Sequence, residues 1–477
     1  MLNLPPIPPP VPEIMEEPDN RSRLRQWLES GEVRLQPLTF PQRELWETSP
    51  VPVADCANHI CGFIEIKGAI TPEECGAAVQ RVMERQEAMR LSFLPGKDRT
   101  LQMMRATGTP LLGFRELSAS EARPGDLEEV MQETYRKPFD LLQGPLHRVE
   151  MLRRGAGDHV LAFSIHHAIA DGWSLGVFVQ DLSTAYVMGL KGLRKVVATG
   201  LLGLSGKLPP VPQTYSEWAA AERAFWQPAE LERRTGFWKS QLAGSRQIWS
   251  GKQDVVRTSG ALQRHVTAIP PSLTRAVKDL AQRHGATLFS TLLAAFQLTL
   301  WKWTGQDDIM VGTPVANRNK EAVRQTMGYF AGVVPLRGQV DASQSFSRHL
   351  RTVHDTAVDC FANAIPFAEV GRLAGGPVAP GQHTVFDVRF ALQNHPVPDV
   401  QLPRISTRLR MRSTGTARFD LGCEITECGQ ELEVVWLYRQ GMITQADILE
   451  LNALYQTVAA NVCRSPENQN ASLAVFQ

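Results

Sequence analysis

Ser164-Ile165-His166-His167-Ala168-Ile169-Ala170-Asp171-Gly172-Trp173-Ser174 is the stretch on which the reading of this chain turns. It overlaps His159–Ile165, a nearly continuous apolar run of strand length that predicts a central, buried strand. Two adjacent histidines leave the end of that strand. Side chains alternate faces along a strand, so the two rings point opposite ways and only one can face a given cavity. Asp171 lies four residues beyond His167, and Gly172 permits a tight turn or a close backbone approach. A strand-end loop carrying His and Asp is where a general base and its orienting group would sit. From Leu175 to Met188 the apolar set Val177, Phe178, Leu182, Ala185 and Tyr186 predicts a helix.

Several readings fit these residues. Both histidines could be plain structural groups, satisfied by hydrogen bonds at a strand end. They could ligate zinc with Asp171, but opposed rings do not serve one ion and no third ligand is close in sequence, so no metal is expected. Finally, Gly172-Trp173-Ser174-Leu175-Gly176 fits Gly-x-Ser-x-Gly with a helix after it, which makes Ser174 a serine-hydrolase candidate. The elbow, however, needs a strand that runs straight into the serine, and here the strand ends near Ile165.

Working outward, Cys61–Lys67 alternates as a strand does, and Thr71-Pro72-Glu73-Glu74 carries the cap, first-turn proline and capping box of a helix running to Arg90. Leu91-Ser92-Phe93 is a further strand. Residues 189–213 break the pattern and read as a crossover, with a basic amphipathic stretch containing Lys191, Arg194, Lys195 and Lys207. The second half opens the same way. A strand over Arg264–Ile269 precedes a helix opened by Pro271 and closed at Gly285, then a long apolar helix from Thr287 to Trp303 and a buried strand at Asp308–Gly312. Two lobes of one fold are expected: a leader with a short helix over 1–35, an N-terminal lobe over 36–188, the crossover 189–213, and a C-terminal lobe over 214–477.

The chain has 477 residues, enough for two to four domains at about 150 residues each. Its 50 basic and 49 acidic residues give a net charge of +1, and nothing favours nucleic acid as a partner. The uncharged stretch Gly285–Trp301 contains Thr287, Ser290, Thr291, Gln297 and Thr299, so a helix buried in protein explains it better than a membrane span. Met1-Leu2-Asn3-Leu4 and the prolines after it form no signal peptide, and a cytoplasmic location is expected. Seven cysteines without a Cys-x-x-Cys predict buried, reduced thiols, including the pair Cys56 and Cys61 beside Asp55 and His59.

His166-His167-Ala168-Ile169-Ala170-Asp171-Gly172 resembles the His-His-x-x-x-Asp-Gly motif of the condensation domains of nonribosomal peptide synthetases, a motif shared with the wider chloramphenicol-acetyltransferase-like superfamily. The order of the flanking segments carries the resemblance further. Phe40-Pro41-Gln42-Arg43-Glu44-Leu45-Trp46 is similar to the first family motif. Arg85 to Phe93 is similar to the second, with Gln86 where His is usual. Pro138-Phe139-Asp140-Leu141 and Gly144-Pro145-Leu146-His147-Arg148 precede the histidines. Tyr215-Ser216-Glu217-Trp218-Ala219, Val311 to Arg318, Met327-Gly328-Tyr329-Phe330, Ile365-Pro366-Phe367, Phe390 to Asn394 and Thr414 to Leu421 follow in the family order. Ala331-Gly332 departs from the usual Val-Asn, and the crossover is longer than the family's.

The resemblance implies an α/β fold of two acetyltransferase-like lobes in a V with a central substrate tunnel. It implies acyl or peptidyl transfer from a carrier-protein thioester to an amine, with amide formation. A hydroxyl acceptor giving an ester and a non-catalytic docking module are the alternatives from the same superfamily. His167 is the expected tunnel-facing catalytic group, with His166, Asp171 and Gly172 in the same motif. Arg318 is the expected partner of Asp171, Asn394 a supporting residue, and Trp173, Ser174 and Tyr329 are tunnel candidates. The chain itself is expected to bind no cofactor. Donor and acceptor carrier proteins would present phosphopantetheine arms, a small-molecule acceptor being possible, and the chain would act as a monomer. No adenylation domain or carrier serine motif is recognised, so a free-standing enzyme or an excised domain is expected.

Overall fold

The computed structural model describes residues 18–47, 49, 51–96, 99–110, 112–189, 208–249, 262–375, 385–393, 401–402, 405–412 and 419–474. The crossover lysines and Arg194, and Asn394, lie outside these residues.

The strand predicted from the apolar run is Asp158–His166, buried at every position but its first. It sits inside a six-stranded sheet in the order Gln401–Leu402, Ile405–Arg412, His59–Lys67, Asp158–His166, His147–Gly155, Leu112–Glu116. His59–Lys67 and His147–Gly155 flank it antiparallel, and the register sets His59 opposite His166. Pro72–Arg85 begins with the predicted capping box on Thr71 and Glu74 and packs its buried face, including Val79 and Val82, beside the helix Gly172–Gly189. The helical prediction to Arg90 is too long. The helix ends at Arg85, Gln86 caps it, and Glu87–Arg90 is a separate turn of 3-10 helix.

A second six-stranded sheet runs Gly332–Gln339, Asp308–Val315, Val388–Gln393, Leu421–Cys428, Glu431–Arg439, Leu262–Ile269. The long apolar helix is Leu288–Thr304, capped by Thr287 and stopped by Gly305 in the left-handed region at φ 74°. Its residues Ser290–Leu300 are all buried, with Phe296 stacked on Phe390 at 5.0 Å between ring centres. Protein, not lipid, surrounds it, and no described helix is long and apolar enough to cross a membrane. A small third sheet joins Val33–Pro37, Leu101–Arg105 and Leu91–Leu94, so the fold starts inside the segment assigned to the leader. The predicted short helix there spans Pro18–Glu29.

Chain order and sheet membership part company at one place. Ile405–Arg412 belongs to the C-terminal half in sequence but pairs antiparallel with His59–Lys67, from Ser406 opposite Lys67 to Arg412 opposite Cys61. A single boundary near the crossover therefore does not separate the sheets. All seven cysteines are free thiols, yet only Cys61, Cys75, Cys360 and Cys423 are buried; Cys428 is exposed. Burial pushes the thiols of Cys61, Cys75 and Cys360 up to about 12, which keeps them protonated and inert.

Gly62 marks where the crossing strand is seated. A Cβ there would lie 2.7 Å from the Phe163 ring and 2.8 Å from the Arg410 carbonyl oxygen. Gly62→Ala should cost roughly 1–3 kcal/mol through overpacking. A lowered melting temperature with faster amide exchange across Ile405–Arg412 is the expected result; unchanged exchange there would remove this account of the seat.

Candidate functional site

The strand ends at His166, and His167–Ile169 turns into a short 3-10 segment before the helix Gly172–Gly189. The two imidazoles separate as the alternation demands. His166 is fully buried. Its Nδ1 accepts from the Ala168 N–H at 3.1 Å, which leaves Nε2 to carry the proton and donate to the Val53 carbonyl at 2.8 Å. Its ring lies among His59 and Phe139. Both ring nitrogens are thus committed to backbone groups. His167 is half-buried and its ring meets Tyr329 edge-on, 4.8 Å between centres.

Asp171 precedes the helix and serves as its cap, with Oδ1 accepting from the Ser174 N–H at 2.8 Å. The same carboxylate reaches across the molecule. Arg318 Nη2 donates to Oδ1 at 3.1 Å, while the N–H groups of Phe330 and Ala331 donate to Oδ2 at 3.1 and 3.2 Å. Both side chains of the ion pair are at most 2% exposed. Arg318 also donates through Nη1 to the carbonyls of Val323 and Thr326, at 2.7 and 2.6 Å, and lies 3.9 Å over the Phe330 ring. Burial lowers the Arg318 pKa and the Asp171 charge opposes that shift. The Asp171 carboxylate is thus spent on holding the loop.

Ser174 belongs to the same buried hydrogen-bond cluster. It is fully buried, and Oγ accepts from Arg318 Nη2 at 3.0 Å and from the Gly328 N–H at 3.1 Å. Its single proton is shared between Asp171 Oδ1 and the Gly328 carbonyl, both at 2.8 Å. A buried hydroxyl engaged in this way, with no strand running into it, lacks the exposed setting that a nucleophile elbow needs. Trp173 is half-buried and its indole N–H donates to the Arg324 carbonyl at 2.9 Å. Tyr329 is buried beneath His167. Gly172 is exposed as the first residue of the helix, without the positive φ of a left-handed turn. Among the described residues no group of three His, Cys, Asp or Glu side chains could hold a metal ion.

Three residues whose roles the sequence did not disclose complete the frame. Gln86 is fully buried. Its Nε2 donates to Asp181 at 2.7 Å and to the Gln325 carbonyl at 3.0 Å, and its Oε1 accepts from the Met327 N–H at 2.9 Å. Gln42 Nε2 donates to the Ala168 carbonyl at 3.0 Å, one residue past His167. The Tyr215 hydroxyl donates to the Tyr329 carbonyl at 3.1 Å, and its ring stands where any side chain on Gly328 would go. All three lie in motifs named above, but their partners are 95 or more residues away in sequence and local pattern does not reveal them.

Removing one partner of a buried ion pair strands the other charge, so Asp171→Ala and Arg318→Ala should each cost about 3–5 kcal/mol. In denaturant unfolding the double variant should lose less than the sum of the two. Strict additivity would contradict the pairing.

A family model described as "Condensation domain" matches residues 33–477. Malpibaldin synthetase of Mortierella alpina is 26% identical over 440 residues, 90% of this chain and 8% of that protein. Phosphinothricin tripeptide synthetase PhsC of Streptomyces viridochromogenes is 28% identical over 483 residues, 98% of this chain and 42% of that protein. The chain thus spans less than half the length of either relative. Among solved structures, the X-domain from teicoplanin biosynthesis superposes with a TM-score of 0.79 at 19% identity, covering 92% of this chain and 97% of that one. The first condensation domain of the CDA synthetase gives 0.71 at 19% identity, covering 93% and 99%. The motif order, the α/β architecture and the match along residues 33–477 agree, and the chain belongs to the condensation-domain family.

Proposed function

We propose that this chain transfers an acyl or peptidyl group from a carrier-protein thioester to the amine of an acceptor held on a second carrier, forming an amide in nonribosomal peptide biosynthesis. The observation that carries the reading is the division of labour in the paired histidines. His166 is locked to backbone groups, while His167 alone is partly open, on a loop fixed by the Asp171–Arg318 pair.

The chemistry follows from that placement. The acceptor nitrogen adds to the thioester carbonyl, the tetrahedral intermediate collapses, the C–S bond breaks, and the phosphopantetheine sulfur leaves as thiolate and takes up the proton that nitrogen sheds. Phosphopantetheine arrives on the carriers and is substrate, not a resident cofactor of this chain. An α-amine titrates near pKa 8, so about a tenth is already neutral at pH 7. Proton removal by His167 then contributes less than positioning, whose ceiling is about 7–11 kcal/mol. Holding the nucleophile and the intermediate is the main duty of the imidazole, and for a hydroxyl acceptor its basicity would count for more. The reaction is assigned to the cytoplasm, with carriers captured transiently.

With acyl- and aminoacyl-loaded carriers, His167→Ala should lower product formation at least about a hundredfold while the protein stays folded, read by intact mass of the acceptor arm. Full activity in that variant would sink the catalytic role of His167. A wild-type chain that gives no product with any loaded pair would move the reading to a docking module. In a separate experiment, a fluorophosphonate probe should leave the wild type unlabelled, and labelling at Ser174 would restore the hydrolase.

A further inference from the structure

A cavity of about 310 Å³ lies between elements of both halves. Its walls come from the helices Phe40–Glu47 and Tyr215–Phe225, the strands Asp308–Val315 and Gly332–Gln339, and the turn leading to Phe367. Trp218, Glu222 and Trp226 recur every four residues, so they share one helix face, and Phe40 and Phe367 add further rings. One oxygen of Glu222 accepts from the Phe40 N–H at 3.1 Å. Burial pushes this carboxyl up to about 7, opposed by the Phe40 N–H and by the charges of Arg223 and Arg43.

The surrounding charges are otherwise engaged or displaced. Arg43 holds Glu47 at 2.7 and 2.9 Å and reaches Glu369 at 3.4 Å. Arg223 donates to the Pro37 carbonyl at 3.5 Å. Glu44 lines the cavity as a second carboxylate, and Lys320 lines it as an exposed residue. A carboxylate beside aromatic rings attracts a cation on two counts, by charge and by the ring quadrupoles. The apolar walls favour a cation on an apolar stem. The volume is at the low end of the ~300–1,000 Å³ of small-molecule sites, suited to one side chain.

Chain neighbours of two wall residues hold the histidine loop. Gln42, next to Pro41 in one wall, holds the Ala168 carbonyl, and Gly332 in the other follows Ala331, whose N–H binds Asp171. We propose that this cavity receives the ammonium-bearing, apolar side chain of one carrier-tethered substrate, with Glu222 as its counter-ion. The assignment to a substrate rests on the condensation reading above; the binding chemistry does not.

Benzyltrimethylammonium is the probe, since its charge does not titrate, and quenching of tryptophan fluorescence or calorimetry reads it. It should bind saturably, and about tenfold more weakly at pH 6 than at pH 8, because the ionised fraction of a group titrating near 7 falls from about nine tenths to about one tenth. Phenylacetate should not bind. Glu222→Gln should weaken the probe at least about tenfold and abolish the pH dependence. Lys320→Glu, an exposed change that leaves the fold alone, should tighten it roughly two- to fivefold. No binding, equal binding of phenylacetate, or indifference to both variants would overturn the site. The probe should also inhibit condensation of carrier-bound substrates; binding without inhibition would overturn the assignment to a substrate. Product formed without any response to the probe would leave the condensation reading standing, whereas absence of product would remove that reading without touching the binding result.

Discussion

The buried Asp171–Arg318 pair is the contact on which the rest of this structure depends. A charge pair at 1–2% exposure is favourable only if nearly every remaining donor and acceptor around it is satisfied. Here the N–H groups of Ser174, Phe330 and Ala331 donate to the carboxylate, and the carbonyls of Val323 and Thr326 accept from Nη1 of the guanidinium, while Arg318 Nε is buried with no acceptor among the described residues. That requirement pins residues 318–331 of the second half against the loop of the first. Gln86, Tyr215 and Trp173 fasten the same segment at Met327, Tyr329 and Arg324. His167 is placed by this frame, since Tyr329, which meets its ring, belongs to the pinned segment.

Local structure was legible where local rules apply. The apolar run, the capping box at Thr71, the glycine stop of the helix ending at Arg283 and the opposed directions of the paired histidines all follow from periodicity and backbone geometry. The family resemblance supplied the pairing of Asp171 with Arg318. Partnerships that depend on distant segments were not readable. Nothing in the sequence Ile405–Arg412 marks it as the neighbour of His59–Lys67, because both edges of a sheet accept an alternating strand equally well. The elbow pattern around Ser174 failed for a related reason: a five-residue pattern says nothing of burial, and the hydroxyl is spent on holding the loop.

The substitution of glutamine for the usual histidine at Gln86 has a physical sense in this frame. An amide offers a donor and an acceptor in fixed positions at every pH, and here it uses both. It donates to Asp181 and Gln325 and accepts from Met327. Asp181 is also held by Arg85 at 2.6 Å, while burial raises its pKa against the effect of both partners. At Gln86 the clasp between the halves thus keeps the same donor and acceptor at any pH.

The strand Ile405–Arg412, drawn from one half into the sheet of the other, bears on how such chains can be recombined. A chimera that joins the first 188 residues of one parent to the remainder of another does not exchange intact sheets. It forces a foreign strand onto His59–Lys67, with seven residue pairs to match and the Gly62 seat to fill. Expressed alone, the first segment would present that strand as a bare edge, the kind of surface that recruits other chains. Exchange units that respect this fold therefore carry residues 59–67 and 405–412 from the same parent, whatever lies between them.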